Sequence, residues 1–266
     1  MGDVARAAGA AILEVYSRAD HGVETKDDDS PLTQADLAAH KLIVGELSAR
    51  YPDIPVLSEE SAAVPFSERA AWTRYFLVDP LDGTKEFINR NGEFTVNIAL
   101  IEDGDPVAGV VYVPVTGRLY SGAAGAGAWV EEAGERREIS TRAVTSRDSL
   151  TIVASRRHGG DALEACLGVL DRHFGEIDRT SMGSSLKLCL VAAGEADLYP
   201  RLAPTSEWDT AAAHAVVAAA GGRVVDARLN PLRYNQKDDI LNPHFYVIGD
   251  ASFGWDEILG QVPAVD

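Results

Sequence analysis

The chain has 266 residues, of which 46% are hydrophobic, and it carries a formal net charge of −17 at pH 7. This length and apolar content suit a globular protein with a large buried core and exclude a disordered chain. The acidic balance argues against a protein that binds nucleic-acid polymers, because phosphate backbones attract basic surfaces.

Hydrophobic periodicity predicts a first half, residues 1–139, that combines helices with an antiparallel sheet. Helices are expected at 3–17 and 33–51, and strands at 56–58, 75–78, 94–101 and 107–113. The last two strands flank an acidic Gly-Pro segment, residues 102–106, which is typical of a hairpin turn. The glycine-rich run at 122–127 lacks the strand–loop–helix context of a dinucleotide-binding loop and is interpreted as a turn between short strands.

Strands and helices alternate in the second half, residues 140–266, which predicts a mixed sheet covered by helices. Strands are expected at 150–155, near 177, and at 196–199, 223–225 and 245–248. Helices are expected at 161–174, 184–193, 210–220 and 252–259. No low-complexity linker separates the two halves, so a two-part α/β architecture with closely packed halves is predicted.

Two aspartates three residues apart, Asp79 and Asp82, follow the strand-like segment that ends at Val78. Carboxylates at the mouth of a buried strand repel each other and lose hydration, so they need a compensating cation. Oxygen ligands suit a hard ion such as Mg²⁺. Gly83 and Thr84 follow at a helix start, where backbone N–H groups can bind a phosphate. The segment therefore indicates metal-assisted phosphoryl chemistry.

Other acidic residues lie at the ends of predicted elements, and each has a simpler explanation as well. Glu59 and its neighbour Glu60 could form a solvated turn. Asp209 could be the N-cap of the helix at 210–220. Asp36 completes a capping-box pattern that starts at Thr33, which is a sufficient structural reason for an acid at that position.

A second group of residues suggests a second anion site. Ser184 follows a glycine at a helix start, and Lys187 lies in the first turn, where a helix dipole disfavours a cation. Arg201 follows a short strand and supplies another cation. His158 could line the same space, although a surface histidine is the default interpretation.

Taken together, three segments resemble the signatures of the inositol monophosphatase superfamily of Mg²⁺-dependent, lithium-sensitive phosphatases. They are Glu59-Glu60, Asp79-Pro80-Leu81-Asp82-Gly83-Thr84 and Trp208-Asp209-Thr210-Ala211-Ala212. Within the superfamily, the segments 82–87, 91–100 and 183–187 are most similar to the CysQ branch. Members of that branch convert 3'-phosphoadenosine 5'-phosphate (PAP) to AMP and phosphate, removing a by-product of sulfate assimilation.

The resemblance implies a layered α/β/α/β/α sugar-phosphatase fold with the site between the two halves. It implies one Mg²⁺ held by Glu59, Asp79 and the Leu81 carbonyl, and a second held by Asp79, Asp82 and Asp209. Asp36 would hold a third ion or orient water, which overrides the purely capping interpretation. Gly83 and Thr84 would bind the phosphate that is cleaved, with Thr84 and Glu59 orienting the attacking water. Ser184, Lys187, Arg201 and His158 would contact the other phosphate of the nucleotide.

Two alternatives stay open at this point. The same metal mechanism could act on inositol monophosphate or fructose 1,6-bisphosphate, and a non-catalytic, metal-binding regulatory protein would share some of the ligands. The apolar helical settings of Cys166 and Cys189 indicate reduced thiols and a cytoplasmic protein, with peripheral attachment at the inner face of the membrane left open. No transmembrane segment is predicted, and either a monomer or a homodimer is expected.

Overall fold

The computed structural model of the protein describes residues 1–18, 22–25, 31–61, 63–147, 149–154 and 160–263. The described helices are α1 (Gly2–Tyr16), α2 (Gln34–Arg50), α3 (Phe66–Arg69), α4 (Thr84–Ile88), α5 (Asp161–Leu170), α6 (Leu186–Ala192), α7 (Glu207–Ala219) and α8 (Trp255–Leu259). The described strands are β1 (Glu24–Thr25), β2 (Pro31–Leu32), β3 (Val56–Ser58), β4 (Arg74–Asp82), β5 (Thr95–Glu102), β6 (Asp105–Val113), β7 (Arg118–Ala123), β8 (Gly127–Glu132), β9 (Glu135–Ile139), β10 (Ser149–Ala154), β11 (Glu176–Ser181), β12 (Leu198–Arg201), β13 (Arg223–Asp226) and β14 (Phe245–Ile248).

The first half of the chain forms a seven-stranded sheet in the order β3-β4-β5-β6-β7-β8-β9. Its neighbours pair antiparallel except for β3 and β4, which run parallel. The predicted turn at 102–106 is confirmed, since β5 and β6 pair up to Glu102 and Asp105. The glycine-rich run is a hairpin turn, as predicted. Strand β9 was not predicted, because only Ile139 of its five residues is buried and the strand shows no apolar alternation.

The second half forms a five-stranded mixed sheet in the order β11-β10-β12-β14-β13, which confirms the predicted sheet type. The main differences from the predictions are element ends. Helix α6 begins at Leu186 rather than residue 184, because Ser184 has φ +46°, outside the right-handed helical region. Helix α5 ends at Leu170 rather than residue 174.

The helices and sheets form five layers that pack around three apolar cores. One joins α1 and α2 to the outer face of the seven-stranded sheet. The second lies between the two sheets and contains α6 and α7. The third joins α5 and α8 to the outer face of the five-stranded sheet. This is the α/β/α/β/α layering expected from the resemblance, and it places α7 between the sheets. A domain boundary near residue 139 stays a prediction.

Helix α7 lies unusually close to the seven-stranded sheet, because both surfaces carry small residues. Gly109 and Gly122 are register partners on β6 and β7. A Cβ at position 109 would lie 2.2 Å from the carbonyl oxygen of Ala212, and one at position 122 would lie 2.6 Å from Cα of Val216. The backbone of α7 thus rests on these two glycines, which fixes the height of its N-terminal residues above the sheet.

We therefore expect Gly109→Ala to destabilise the protein by about 1–3 kcal/mol, since the added methyl group would press against backbone atoms that cannot rotate away. Urea denaturation measures this directly. Gly45→Ala is the matched control: it lies in α2 with no atom within 4 Å of its added methyl group, and we expect it to be neutral or slightly stabilising. Equal effects of the two substitutions would contradict the close-packing argument.

Candidate active site

The carboxylate pair predicted at the end of β4 lies at an irregularity in the sheet. Pairing between β4 and β5 shifts register between Asp79 and Asp82, so the strand continues through both residues instead of ending at Val78. Asp79 is 1% exposed, and its Oδ1 accepts a hydrogen bond from the Leu81 N–H at 3.0 Å. Burial raises the pKa of Asp79 well above its ordinary value, and the nearby Glu59, Asp82 and Asp209 raise it further.

Glu59 reaches this position because β3 runs parallel to β4. The pairing continues one residue beyond β3, where the Glu59 N–H donates to the Val78 carbonyl at 3.1 Å. The Glu59 and Asp79 side chains are hydrogen-bonded to each other, an interaction that raises the pKa of Asp79. Two carboxyls can share such a bond only through a proton, so a cation placed between them would replace that proton.

Asp209 comes to the site from the second half of the chain, on the first turn of α7. It is not the N-cap of that helix, as the local alternative suggested. Ser206 is the N-cap. The Ser206 backbone N–H donates a hydrogen bond to Asp209 Oδ2 at 2.8 Å, as part of a capping box. Burial raises the pKa of Asp209 to about 8, with further contributions from Asp82 and Glu59. The carboxyl thus caps the helix and also belongs to the acidic group, which consists of Glu59, Asp79, Asp82 and Asp209.

Asp82 has a similar division between its two oxygens. Its Oδ2 accepts hydrogen bonds from the N–H of Ser185 at 2.6 Å, from the Ser185 hydroxyl at 2.7 Å and from the Asn97 amide at 3.3 Å. Every hydrogen bond identified between Asp82 and another described residue reaches Oδ2. The protein therefore fixes one oxygen of this carboxylate and leaves the other for a ligand.

These oxygen donors fit Mg²⁺. All are carboxylates or a backbone carbonyl, the hard ligands that this ion prefers. Among the described residues, no group of three or more His, Cys, Asp or Glu side chains is arranged so that it could hold a metal ion by itself. Mg²⁺ does not require one, because it usually keeps several waters and takes a few carboxylates together with substrate phosphate oxygens. Burial and the neighbouring carboxylates raise the pKa values of Asp79 and Asp209, so positive charge beside these carboxyls would stabilise their ionised forms.

Thr84 and Asp36 form a separate contact beside the acidic group. The Asp36 capping box is present as predicted, with Oδ2 accepting from the Thr33 N–H at 2.8 Å. Its other oxygen, Oδ1, accepts from the Thr84 hydroxyl at 3.2 Å. The capping interpretation is therefore correct but incomplete. Gly83, just before Thr84, has φ +93°, which favours glycine at the start of α4.

One cavity of about 320 Å³ brings six of the predicted residues together. They are Asp82, Gly83, Ser184, Lys187, Arg201 and Asp209. The contacts described above, together with a contact of 3.4 Å between the Thr84 hydroxyl and the Leu81 carbonyl oxygen, connect that group to the other predicted residues: Asp36, Glu59, Asp79, Leu81 and Thr84. His158 lies outside the described residues.

Several polar groups in this cavity need a partner. Ser184 Oγ and Arg201 Nε are buried without a hydrogen-bond partner among the described residues. Lys187 donates to the carbonyls of Ser184 at 2.7 Å and Met182 at 3.3 Å, which accounts for two of its three protons. Burial lowers the pKa of Lys187. A bound anion would satisfy these groups, because buried donors without acceptors are costly.

Sequence reasoning missed two residues at the centre of the site, Asn97 and Ser185. Asn97 is 0% exposed in the middle of β5, and its amide donates to Ser185 Oγ at 2.8 Å. A polar side chain inside an apolar strand was a signal for Asn97. Ser185 had no comparable signal, because a serine at a helix start is expected on capping grounds alone.

Comparison with known proteins agrees with this geometry. The model of the inositol monophosphatase family matches residues 2–250. The 3'(2'),5'-bisphosphate nucleotidase CysQ of Escherichia coli O157:H7 is 53% identical over 245 residues, covering 92% of this chain and 96% of that relative. The crystal structure of CysQ from Bacteroides thetaiotaomicron superimposes with a TM-score of 0.83 at 43% identity, covering 94% of this chain and 96% of that one.

A more distant structure supports the fold alone. An IMPase of Thermotoga maritima matches with a TM-score of 0.77 at 23% identity, covering 98% of this chain and 94% of that chain. The family model, the close relatives and the shared architecture agree with the resemblance that the sequence motifs suggested. The chain belongs to the inositol monophosphatase family.

Proposed function

We propose that this protein is a Mg²⁺-dependent phosphatase that hydrolyses the 3'-phosphate of PAP to give AMP and phosphate. The observation that carries the proposal is that a single cavity is lined both by Asp82 and Asp209 of the acidic group and by a set of buried donors and cations. A bisphosphate needs two such places, one for the phosphate that is cleaved and one for the phosphate that stays. The Escherichia coli relative described above is named as a 3'(2'),5'-bisphosphate nucleotidase.

In this proposal, Glu59, Asp79 and the Leu81 carbonyl hold one Mg²⁺, and Asp79, Asp82 and Asp209 hold a second. When bound, the ions neutralise the carboxylates, lower the pKa of water and offset the charge that develops on the phosphate oxygens. Asp36 is assigned to water orientation rather than to a third ion, because each of its oxygens already accepts a hydrogen bond from the protein.

The side chains of this protein then have defined tasks. The Thr84 hydroxyl donates a hydrogen bond to Asp36, so the lone pairs of the Thr84 oxygen can accept a hydrogen bond from the attacking water. The backbone N–H groups of Gly83 and Thr84 bind the phosphate. The P–O bond to the 3'-oxygen breaks as the bond to the water oxygen forms. The attacking water gives up one proton, and the departing 3'-oxygen takes up one to become a hydroxyl. Because little covalent chemistry falls to the protein, positioning and charge stabilisation supply most of the rate.

Ser184, Lys187 and Arg201 are assigned to the 5'-phosphate. Arg201 is 8% exposed and donates one bond to the Pro204 carbonyl at 2.9 Å, while its Nε lacks a partner. The guanidinium is close enough to Asp209 to lower the pKa of that carboxyl, and its unpartnered Nε remains a donor for a bound anion. The apolar side chains of Met182, Tyr199 and Phe245 also line the cavity and give a base a surface to lie on.

A cytoplasmic location is part of the proposal. Cys166 and Cys189 are buried free thiols, as expected in a reducing compartment. In the described part of the chain, no helix combines the length and apolar composition that crossing a bilayer requires.

The central test measures phosphate release with Mg²⁺ from PAP, inositol 1-phosphate and fructose 1,6-bisphosphate at matched concentrations. We expect kcat/KM for PAP to exceed the other two by at least about tenfold, since each well-placed charged hydrogen bond is worth about 1.5–3 kcal/mol. A preference for either sugar phosphate would refute the substrate assignment. Metal binding without phosphate release from any of them would indicate a non-catalytic protein.

The metal assignment predicts the behaviour of Asp82→Asn. This change keeps an acceptor for Ser185 but removes one negative charge from the acidic group. We expect PAP turnover to fall by at least about 100-fold, as is common when a group that stabilises transition-state charge is lost. Without metal, the melting temperature should stay equal to that of the wild type or rise, because repulsion is relieved. Near-normal activity in a folded variant would contradict the assignment.

The second anion site predicts a substrate-dependent loss in Lys187→Ala. We expect kcat/KM for PAP to fall by at least about 30-fold, and that for inositol 1-phosphate, which has no second phosphate, to fall far less. Arg201→Met serves as a second variant, since Lys187 also holds the Ser184 carbonyl and its loss could shift the loop. Equal losses on both substrates in both variants would remove the assigned role.

A further inference from the structure

Ser185 lies at the junction between the acidic group and the second anion site. It is 2% exposed, and its hydroxyl oxygen is 2.7 Å from Asp82 Oδ2, 2.5 Å from the Asp209 carbonyl oxygen and 2.8 Å from the Asn97 amide nitrogen. It therefore touches a residue from β4, one from β5 and one from α7. Among the contacts described above, only the Ser185 side chain touches acidic residues from both halves of the chain, Asp82 and Asp209.

The chain neighbours of Ser185 connect this junction to the other end of the cavity. Ser184 precedes it, with φ +46° and a buried hydroxyl that lacks a partner among the described residues. Non-glycine residues adopt this conformation only when their surroundings hold them there. The Ser184 carbonyl accepts from Lys187 at 2.7 Å, and the Ser185 N–H donates to Asp82 at 2.6 Å. A movement of Asp82 would thus be transmitted directly to the strained residue.

A further contact restricts this segment on its other side. The Gly183 N–H donates to Glu93 Oε2 at 2.7 Å. A Cβ at position 183 would lie 2.7 Å from the Glu93 carbonyl oxygen. Residues 183–185 are therefore held against the first half of the chain at both ends, so Ser184 can take only the position that these anchors allow.

From these contacts we infer that Ser185 is a positioning residue that couples metal binding at Asp82 and Asp209 to nucleotide binding at Ser184 and Lys187. This inference rests on the proposed function, because it assumes that a nucleotide phosphate occupies the second anion site. Coordination of a cation by Asp82 Oδ1 would hold the Asp82 carboxylate in one orientation. The ordered Oδ2 then fixes Ser185 and prepares Ser184 for the phosphate. By linkage, the nucleotide must improve metal binding by the same factor.

The test uses 3'-deoxyadenosine 5'-phosphate, which has the retained phosphate but no 3'-oxygen to touch a metal directly. Its dissociation constant is measured by calorimetry with and without saturating Mg²⁺, and that of Mg²⁺ with and without the nucleotide. We expect the wild type to show mutual tightening of about 5–10-fold, within the usual range of such coupling. Ser185→Ala should reduce the tightening to less than about twofold and weaken Mg²⁺ binding without nucleotide several-fold.

Ser184→Ala is the matched control. It should weaken nucleotide binding while leaving Mg²⁺ binding without nucleotide unchanged, because its hydroxyl makes no identified contact with the carboxylates. Ser185→Thr, which keeps the hydroxyl, should restore the coupling. If Ser185→Ala does not fold, Asn97→Leu removes the amide bonds to Ser185 and Asp82 and should reduce the coupling in the same direction.

The outcomes separate the inference from the proposed function, because PAP hydrolysis is measured on the same wild-type preparation. Active enzyme without mutual tightening, or full tightening in Ser185→Ala, overturns the role of Ser185 and leaves the function intact. A wild type that neither hydrolyses PAP nor binds the nucleotide overturns both. Loss of tightening in Ser185→Ala supports the inference when Mg²⁺ binding without nucleotide is weakened in that variant and unchanged in Ser184→Ala.

Discussion

Repulsion among carboxyls buried together is the constraint on which this structure depends. Four carboxyls converge in a buried region: Glu59 just after β3, Asp79 and Asp82 on β4, and Asp209 on α7. Burial and mutual repulsion therefore raise the pKa values of Asp79 and Asp209. Such a group would spread apart unless the fold held it. The protein holds three of these side chains through one oxygen each, bonded to a backbone N–H, while the second oxygen can accept a ligand.

The packing of the two sheets provides that restraint. Helix α7 carries Asp209 and rests on Gly109 and Gly122, where larger side chains would collide with its backbone. The alanines of α7 allow the same close approach from the helix side. Asp82 in turn binds the N–H of Ser185 at the start of α6, so the acidic group itself joins the two halves. Stability and the geometry of the candidate site therefore depend on the same contacts.

Local patterns predicted most of the elements and nearly all of the acidic residues, and the reasons for the failures are physical. Strand β9 was missed because its exposed, charged residues show no apolar alternation. The start of α6 was placed too early because neither the residue type at position 184 nor its neighbours indicate the positive φ that Ser184 adopts. Asp209 could be read as an N-cap since capping depends on the first turn, and only the structure shows that Ser206 has that position.

The sequence by itself determined the family, the two-part α/β character and the acidic segments that prefer a hard cation, because these depend on residue type and spacing along the chain. The tertiary structure decided which oxygen of Asp79, Asp82 and Asp209 a backbone N–H holds, and that Lys187 and Arg201 share a cavity with Asp82. It also decided that Asn97 and Ser185 connect the parts of the site. Those features arise from contacts between residues far apart in the chain, such as Asp82 and Ser185, which are separated by 103 positions. Such contacts depend on how helices and sheets pack, and local sequence patterns do not encode them.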